Sequence, residues 1–183
     1  ISEVCEDILL TSGMAEEAYN RYAIEANQKN TYQATFRTII KKYPHKKPEE
    51  ILSDLVASTP GCEGKWFAAA KSAGLYDEAI ALANRTPCEP KTLTRAARNM
   101  VESEPLFAVE AGMTALRWLV EGYGYEITGL DVLDAYDYTM KAAENGGCRD
   151  ETIEHIRGLV AGESGDDPFV TSILSGERGL KQE

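Results

Sequence analysis

One phrase is written twice in this chain. "TSGMAEEAYNRYA" (Thr11–Ala23) returns as "SAGLYDEAIALAN" (Ser72–Asn84), so that Gly13 aligns with Gly74, Met14 with Leu75, Glu17 with Glu78 and Ala18 with Ala79. In both copies a glycine is followed by an acidic pair and then by apolar residues at helical spacing. Glycine takes the positive φ that closes one helix and turns the chain into the next. Acidic residues in the first turn of the new helix are favoured by its dipole. Each copy therefore reads as helix, glycine corner, helix, and a chain that repeats such a corner is constrained to stack helix pairs.

The rest of the chain follows the same rule. "EVCEDILLTS" precedes Gly13, and "TYQATFRTIIKKY" carries Tyr32, Phe36, Ile39, Ile40 and Tyr43 on a helical stripe that Pro44 ends. "KPEEILSDLVAS" opens with Pro48 in its first turn. Thr59–Gly64 reads as a loop, and "KWFAAAKSA" and "LYDEAIALANR" form a third pair. "PKTLTRAARNMVES" and "PLFAVEAGMTALRWLVEGY" form a fourth, each opened by a proline. After the loop Gly122–Gly129, "LDVLDAYDYTMKAAENGG" and "RDETIEHIRGLVAG" form a fifth. The spacing predicts an all-α protein of about five helical hairpins with a mean period of about 30 residues, the range of α-solenoids. One pair cannot bury its apolar stripe alone, whereas stacked pairs can. The expected domain is 1–162, with 163–183 as a C-terminal tail. Within that tail, Phe169–Leu174 reads as a short docked capping helix, with Asp167 as N-cap and Pro168 first inside.

The second copy, with Ala70, Gly74, Tyr76, Asp77, Glu78, Ala79, Ile80 and Ala83, resembles the tetratricopeptide repeat. The match is good over about 16 residues and partial at 9–23, where Ala15 stands in place of the aromatic. The resemblance implies a right-handed α-α superhelix that binds a protein or peptide on its concave face. A fainter resemblance runs to the helical region of bacterial SWIM-type zinc-finger proteins, although the zinc motif itself is absent from these residues.

Composition narrows the function classes. The chain has 183 residues, 43% of them apolar, enough to bury one core without a staple. Its net charge of −11 repels nucleic acid on average. No apolar run approaches the ~18 residues of a membrane span. Cys5, Cys62, Cys88 and Cys148 are scattered with no Cys-x-x-Cys pair, the pattern of reduced cysteines in a cytoplasmic protein. The first residue is Ile, without a signal-peptide pattern, and the expectation is a piece of a longer protein.

No pattern of a catalytic centre, cofactor or metal site emerges, and the chain reads as non-catalytic. His45 lies in a lysine-rich loop, and His155 follows Glu154 without a ligand-spaced partner; both read as surface residues. Asp131, Asp134 and Asp137 recur every three residues and read as a solvated helix face, with Lys141 placed to pair with Asp137. Trp66, Phe67 and Trp118 read as core. Candidate partner-binding residues are Arg95, Arg98 and Arg117, which can grip carboxylates bidentately, and the loop tyrosines Tyr123 and Tyr125. "KKYPHKKP" places Lys41, Lys42, Lys46 and Lys47 together. They are the candidates for the alternative reading, an accessory module of a nucleic-acid-associated protein. Glu49 and Glu50 lie near enough to neutralise them.

Overall fold

The computed structural model describes residues 1–164 and 168–180. Among the described residues it contains eleven α-helices and no strand. The chain divides into two compact units, Ile1–Leu82 and Ala83–Glu183, and the boundary falls inside a helix.

The first unit begins with α1 (Ser2–Thr11), α2 (Ala15–Ala26), α3 (Tyr32–Lys42) and α4 (Pro48–Ala57). A short 3-10 turn, Glu63–Trp66, leads into α5 (Phe67–Ser72), and α6 (Tyr76–Arg85) follows. The repeated phrase makes the repeated corner. At the end of α1 the Gly13 amide donates to Leu10 and the Met14 amide to Leu9. At the end of α5 the Gly74 amide donates to Lys71 and the Leu75 amide to Ala70. The two sets of bonds are the same Schellman closure, and both glycines hold the positive φ it requires, 77° and 74°. The same pair of bonds recurs at Gly122 and Gly147 in the second unit.

Helix starts follow local chemistry. Thr31 accepts the Ala34 amide as the N-cap of α3, and Pro48 occupies the first turn of α4, where its missing N–H costs nothing. The expected fifth helix from Lys65 begins only at Phe67. Trp66 is drawn into the preceding turn because its indole N–H donates to Thr59 Oγ1 at 2.8 Å and its ring meets Tyr32 edge-on at 4.6 Å. Trp66 and Phe67 are buried with Phe36, Ile39, Tyr43, Ile51, Leu52 and Leu55, and α3 packs on both α4 and α5.

The second unit contains α7 (Pro90–Met100), α8 (Pro105–Val120), α9 (Gly129–Gly146), α10 (Arg149–Ala161) and α11 (Phe169–Arg178). α8 is central. It is mostly apolar, and it packs against α7, α9 and α10. Trp118 is buried near its end and donates its indole N–H to the Ala83 carbonyl at 2.8 Å. α7 also packs on α9, and α8 on α10. α11 packs on α9 and reaches α8 and α10, with Val170 and Leu174 buried. Pro168 stands at the N-cap of α11 and Phe169 is its first residue; the expected cap Asp167 lies outside the described residues. No described helix is long and apolar enough to cross a membrane.

Candidate interaction groove

Lys91, Arg95 and Arg98 stand at i, i+4 and i+7 on α7 and therefore share one helical face. Asp131, Asp134 and Tyr138 stand at i, i+3 and i+7 on α9 and share another. Because α7 and α9 are neighbours, these two faces border one cavity of about 190 Å³, to which Pro90, Thr94 and Leu119 also contribute. One wall is cationic and the other is acidic with a phenol.

The loop from Glu121 to Thr128 sets one end of this groove. Gly124 has φ 123°, and a Cβ there would meet Ile127 at 2.6 Å and Pro90 at 3.3 Å, so only glycine lets the loop lie this close to the start of α7. The Lys91 ammonium donates to the Glu126 carbonyl at 2.9 Å and lies 3.8 Å from Asp131. Asp131 accepts both the backbone N–H and the hydroxyl of Thr128 at 2.8 Å, a capping box at the first turn of α9. Burial pushes the Asp131 carboxyl up, but the two bonds from Thr128 and the charge of Lys91 outweigh it and hold the carboxyl below its usual value. Lys91 and Asp131 thus brace the groove.

Arg95, Arg98 and Asp134 are exposed, and among the described residues none of them makes an ion pair or hydrogen bond. Two guanidinium forks and one carboxylate line the groove without partners among the described residues.

The structure divides the residues singled out from sequence. Arg95 and Arg98 line the groove, but Arg117 does not join them. Its guanidinium lies over the Trp118 ring at 4.0 Å, donates to Asn84 Oδ1 at 3.0 Å and pairs with Glu121 at 3.3 Å. Arg117 belongs to α8 and directs its charge at Asn84, near the end of α6, and at Glu121, outside the lining of this groove. Tyr123 packs edge-on against Trp118 at 5.1 Å, while Tyr125 is 73% exposed on the loop that borders the groove. Lys91 and Tyr138 were not expected at a site, although the i, i+4, i+7 spacing from Lys91 carries the signal.

The Asp131–Asp134–Asp137 row serves three purposes. Asp131 caps α9, Asp134 faces the groove, and Asp137 receives Arg178 of α11 bidentately, with Nε to Oδ1 at 2.7 Å. The expected partner of Asp137, Lys141, pairs instead with Glu102 at 3.4 Å. Among the described residues no group of three His, Cys, Asp or Glu side chains is placed to hold a metal ion, and His155 is exposed.

The lysine-rich segment finds its acids elsewhere than expected. Lys42 pairs with Glu6 at 2.6 Å and Asp7 at 3.0 Å on α1. Lys46 pairs with Glu16 on α2 at 2.8 Å and lies over the Tyr19 ring at 4.8 Å. His45 meets the same Glu16 at 3.1 Å. Burial opposes the charge on Lys42, but its two carboxylates prevail and raise its pKa. Glu50 accepts the backbone N–H of Lys47 at 3.4 Å and its charge adds to that of Glu16 in favouring the charged form of Lys46, while Lys41 and Lys47 remain exposed. A second cavity of about 360 Å³ lies in the first unit beside Tyr32 and Trp66. Its Thr35 and Thr59 hydroxyls and the Trp66 N–H are already paired within the fold.

The fold and groove define a class, an all-helical protein with an open, charge-divided recess. Comparison with known proteins finds no matching family model, no matching curated protein and no matching solved structure.

Proposed function

We propose that this chain is a non-catalytic helical-repeat module of tetratricopeptide type, whose second unit binds a peptide or protein segment in the groove between α7 and α9. One observation carries the reading: two exposed arginines, Arg95 and Arg98, share a face beside a recess and have no acidic partner among the described residues. Guanidinium groups are the side chains best shaped to hold a carboxylate through two parallel bonds. Tyr125, exposed on the bordering loop, supplies an aromatic contact of the kind that anchors peptides. The repeated Schellman corners and the packing of alternate helices (α3 on α5, α7 on α9, α8 on α10) support the helical-repeat part of the proposal.

The free cysteines Cys5, Cys62, Cys88 and Cys148 suit a reducing compartment such as the cytoplasm. The nucleic-acid reading gains no support, because Lys42 and Lys46 already spend their charge on carboxylates.

The test is an array of short peptides probed with the whole chain and with an Arg95→Ala/Arg98→Ala variant. At exposed positions a bidentate arginine–carboxylate pair contributes up to about 1 kcal/mol, so the two together contribute up to about 2 kcal/mol. The double variant is therefore expected to lose acidic-peptide binding by about tenfold, at an unchanged thermal midpoint. Binding that ignores both arginines, or no peptide binding at all, overturns the proposal.

A further inference from the structure

We infer that the occupant of the α7–α9 groove is an extended segment of alternating charge, with acidic side chains on both sides of a basic one, rather than a uniformly acidic tail. The inference rests on the peptide-binding reading above and specifies its ligand.

The free charges of the groove are divided by wall. On α7 they are Arg95 and Arg98, and on α9 the free charge is Asp134. Lys91 and Asp131 are engaged with each other, with Glu126 and with Thr128, so they brace the site and leave the three free charges to the ligand. A run of acidic residues would satisfy the arginines but would press like charge against Asp134, whose carboxylate has no donor of its own among the described residues. The acidic wall likewise opposes a phosphate backbone.

Geometry sets the order of charges. An extended chain laid along the seam of the packed α7–α9 pair has the α7 side chains on one flank and the α9 side chains on the other. Successive side chains of an extended chain point to opposite sides, so residues i and i+2 meet one wall and residue i+1 meets the other. Arg95 and Arg98 are separated by about 4.5 Å along the α7 axis, and i and i+2 of an extended segment by about 6.6 Å, a mismatch that flexible arginine side chains absorb. An acid–base–acid triplet therefore places its two carboxylates on Arg95 and Arg98 and its cation on Asp134. The two positive and one negative free charges of the groove are matched by two negative and one positive on the ligand.

The experiment measures fluorescence polarisation of short, terminally blocked peptides that differ only in a central Glu-Lys-Glu, Glu-Ala-Glu or Lys-Glu-Lys. The probed proteins are the whole chain and its Asp134→Asn and Arg95→Ala/Arg98→Ala variants. The expected order is Glu-Lys-Glu first, by about two- to fivefold over Glu-Ala-Glu, the range of one exposed ion pair. That preference disappears in Asp134→Asn, which binds Glu-Ala-Glu at least as well as the unaltered chain does. Equal binding of Glu-Lys-Glu and Glu-Ala-Glu, or a preference that survives Asp134→Asn, overturns the alternating-charge inference while leaving the acidic-peptide reading intact. Tightest binding of Lys-Glu-Lys overturns the inference as well. Binding of every peptide unaffected by loss of both arginines, or no binding of any, overturns the reading beneath it.

Discussion

Gly112 on α8 lies so close to Thr139 on α9 that a Cβ on the glycine would stand 1.9 Å from the threonine Oγ1. The hydroxyl cannot swing aside freely, because it donates to the Ala135 carbonyl at 2.6 Å and Thr139 is fully buried. The Thr139 Cβ is itself only 3.0 Å from the same point. Small buried residues flank both positions in sequence, with Ala108, Ala111 and Ala115 on α8 and Ala135, Ala142 and Ala143 on α9. Gly112→Ala gains about 1 kcal/mol of helix propensity. It also overpacks the crossing, and overpacking of this kind costs about 1–3 kcal/mol. Because the clash involves a bonded hydroxyl and a Cβ, the upper end applies, and the variant is expected to be net destabilised by about 1–2 kcal/mol in urea unfolding. Gly112→Ala/Thr139→Ala should recover part of the loss, a non-additive pair. Stability equal to that of the unaltered chain would show that the helices have room to part.

Glu6 presents the opposite case, a buried polar group within the first unit. Its side chain is fully buried, yet it accepts from Asn27 Nδ2 at 2.6 Å, from the Tyr43 hydroxyl at 2.5 Å and from Lys42 Nζ at 2.6 Å. These donors are the C-cap of α2, the last residue of α3 and the C-cap of α3, so one carboxylate on α1 ties three consecutive helices together. Removing one partner of a buried charged network costs about 3–5 kcal/mol, because the groups left behind lose their bonds without regaining water. Glu6→Ala is expected to lower the stability of the first unit by that amount. Lys41→Ala, one residue from Lys42 but exposed, should stay within about 0.5 kcal/mol of the unaltered chain. The comparison is read from denaturant midpoints followed by amide exchange of α1–α3. A mild effect of Glu6→Ala would mean that water replaces the carboxylate.

Glu6 also marks the limit of what the sequence makes legible. Helix boundaries are written locally, in Pro48, Pro90 and Pro105 at first turns and in Gly13 and Gly74 at corners, and periodicity alone puts Trp66, Phe67 and Trp118 in the core. Which helix a charged face meets is not local information. The spacing of Lys42 and Lys46 places them near Glu49 and Glu50, but packing delivers Glu6, Asp7 and Glu16 from earlier helices. Spacing likewise suggests Lys141 for Asp137, and the chain returns Arg178 from α11 instead. The groove was half legible for the same reason. Arg95 and Arg98 share a face that sequence can mark, whereas the role of Asp134 depends on the adjacency of α7 and α9, and Arg117 is drawn away by Trp118 and Asn84.

Cys88 gives the fold a sensitivity to alkaline pH. Burial pushes its thiol up to about 12, the charge of Glu89 adds to the shift, and a backbone hydrogen bond at Glu89 opposes it. The ordinary value is 9.0, so the unfolded chain releases this proton before the folded one does. The stabilisation is therefore whole below pH 9 and is lost as pH rises towards about 12. Within that window Cys88 contributes a loss of about 1.4 kcal/mol per pH unit. Urea unfolding between mildly and strongly alkaline pH should show a steeper decline for the unaltered chain than for Cys88→Ala, which lacks the group. Parallel declines would remove Cys88 as the cause. Thiol labelling gives an independent check: Cys88 should react after the less buried Cys5, Cys62 and Cys148.

A carboxylate cap and an ion pair hold α11 against the rest of the second unit, and they act at opposite ends. At its start the Glu163 carboxylate accepts the Val170 amide at 3.0 Å, and the Thr171 amide and hydroxyl at 2.7 Å each. The negative charge sits where the helix dipole favours it and satisfies amides that have no helical partner. The Thr171 hydroxyl, whose one hydrogen can be shared, also lies 3.1 Å from the Val160 carbonyl and so joins the start of α11 to the end of α10. At the far end Arg178 grips Asp137 on α9 through both carboxylate oxygens. Between these ends Val170 and Leu174 supply the buried apolar contacts of the helix, a small area for a short helix to rely on alone. Glu163→Ala is therefore expected to loosen α11 selectively. Amide exchange of α11 should accelerate by about tenfold, while α8 and α9, packed on each other independently of it, keep their protection. Arg178→Ala should give a smaller effect of the same kind, because its ion pair is half exposed to solvent and screening weakens it. If Glu163→Ala exposes α8 and α9 together with α11, the helix is part of one cooperative core; if no amide changes, the carboxylate cap is dispensable and apolar docking alone secures the helix.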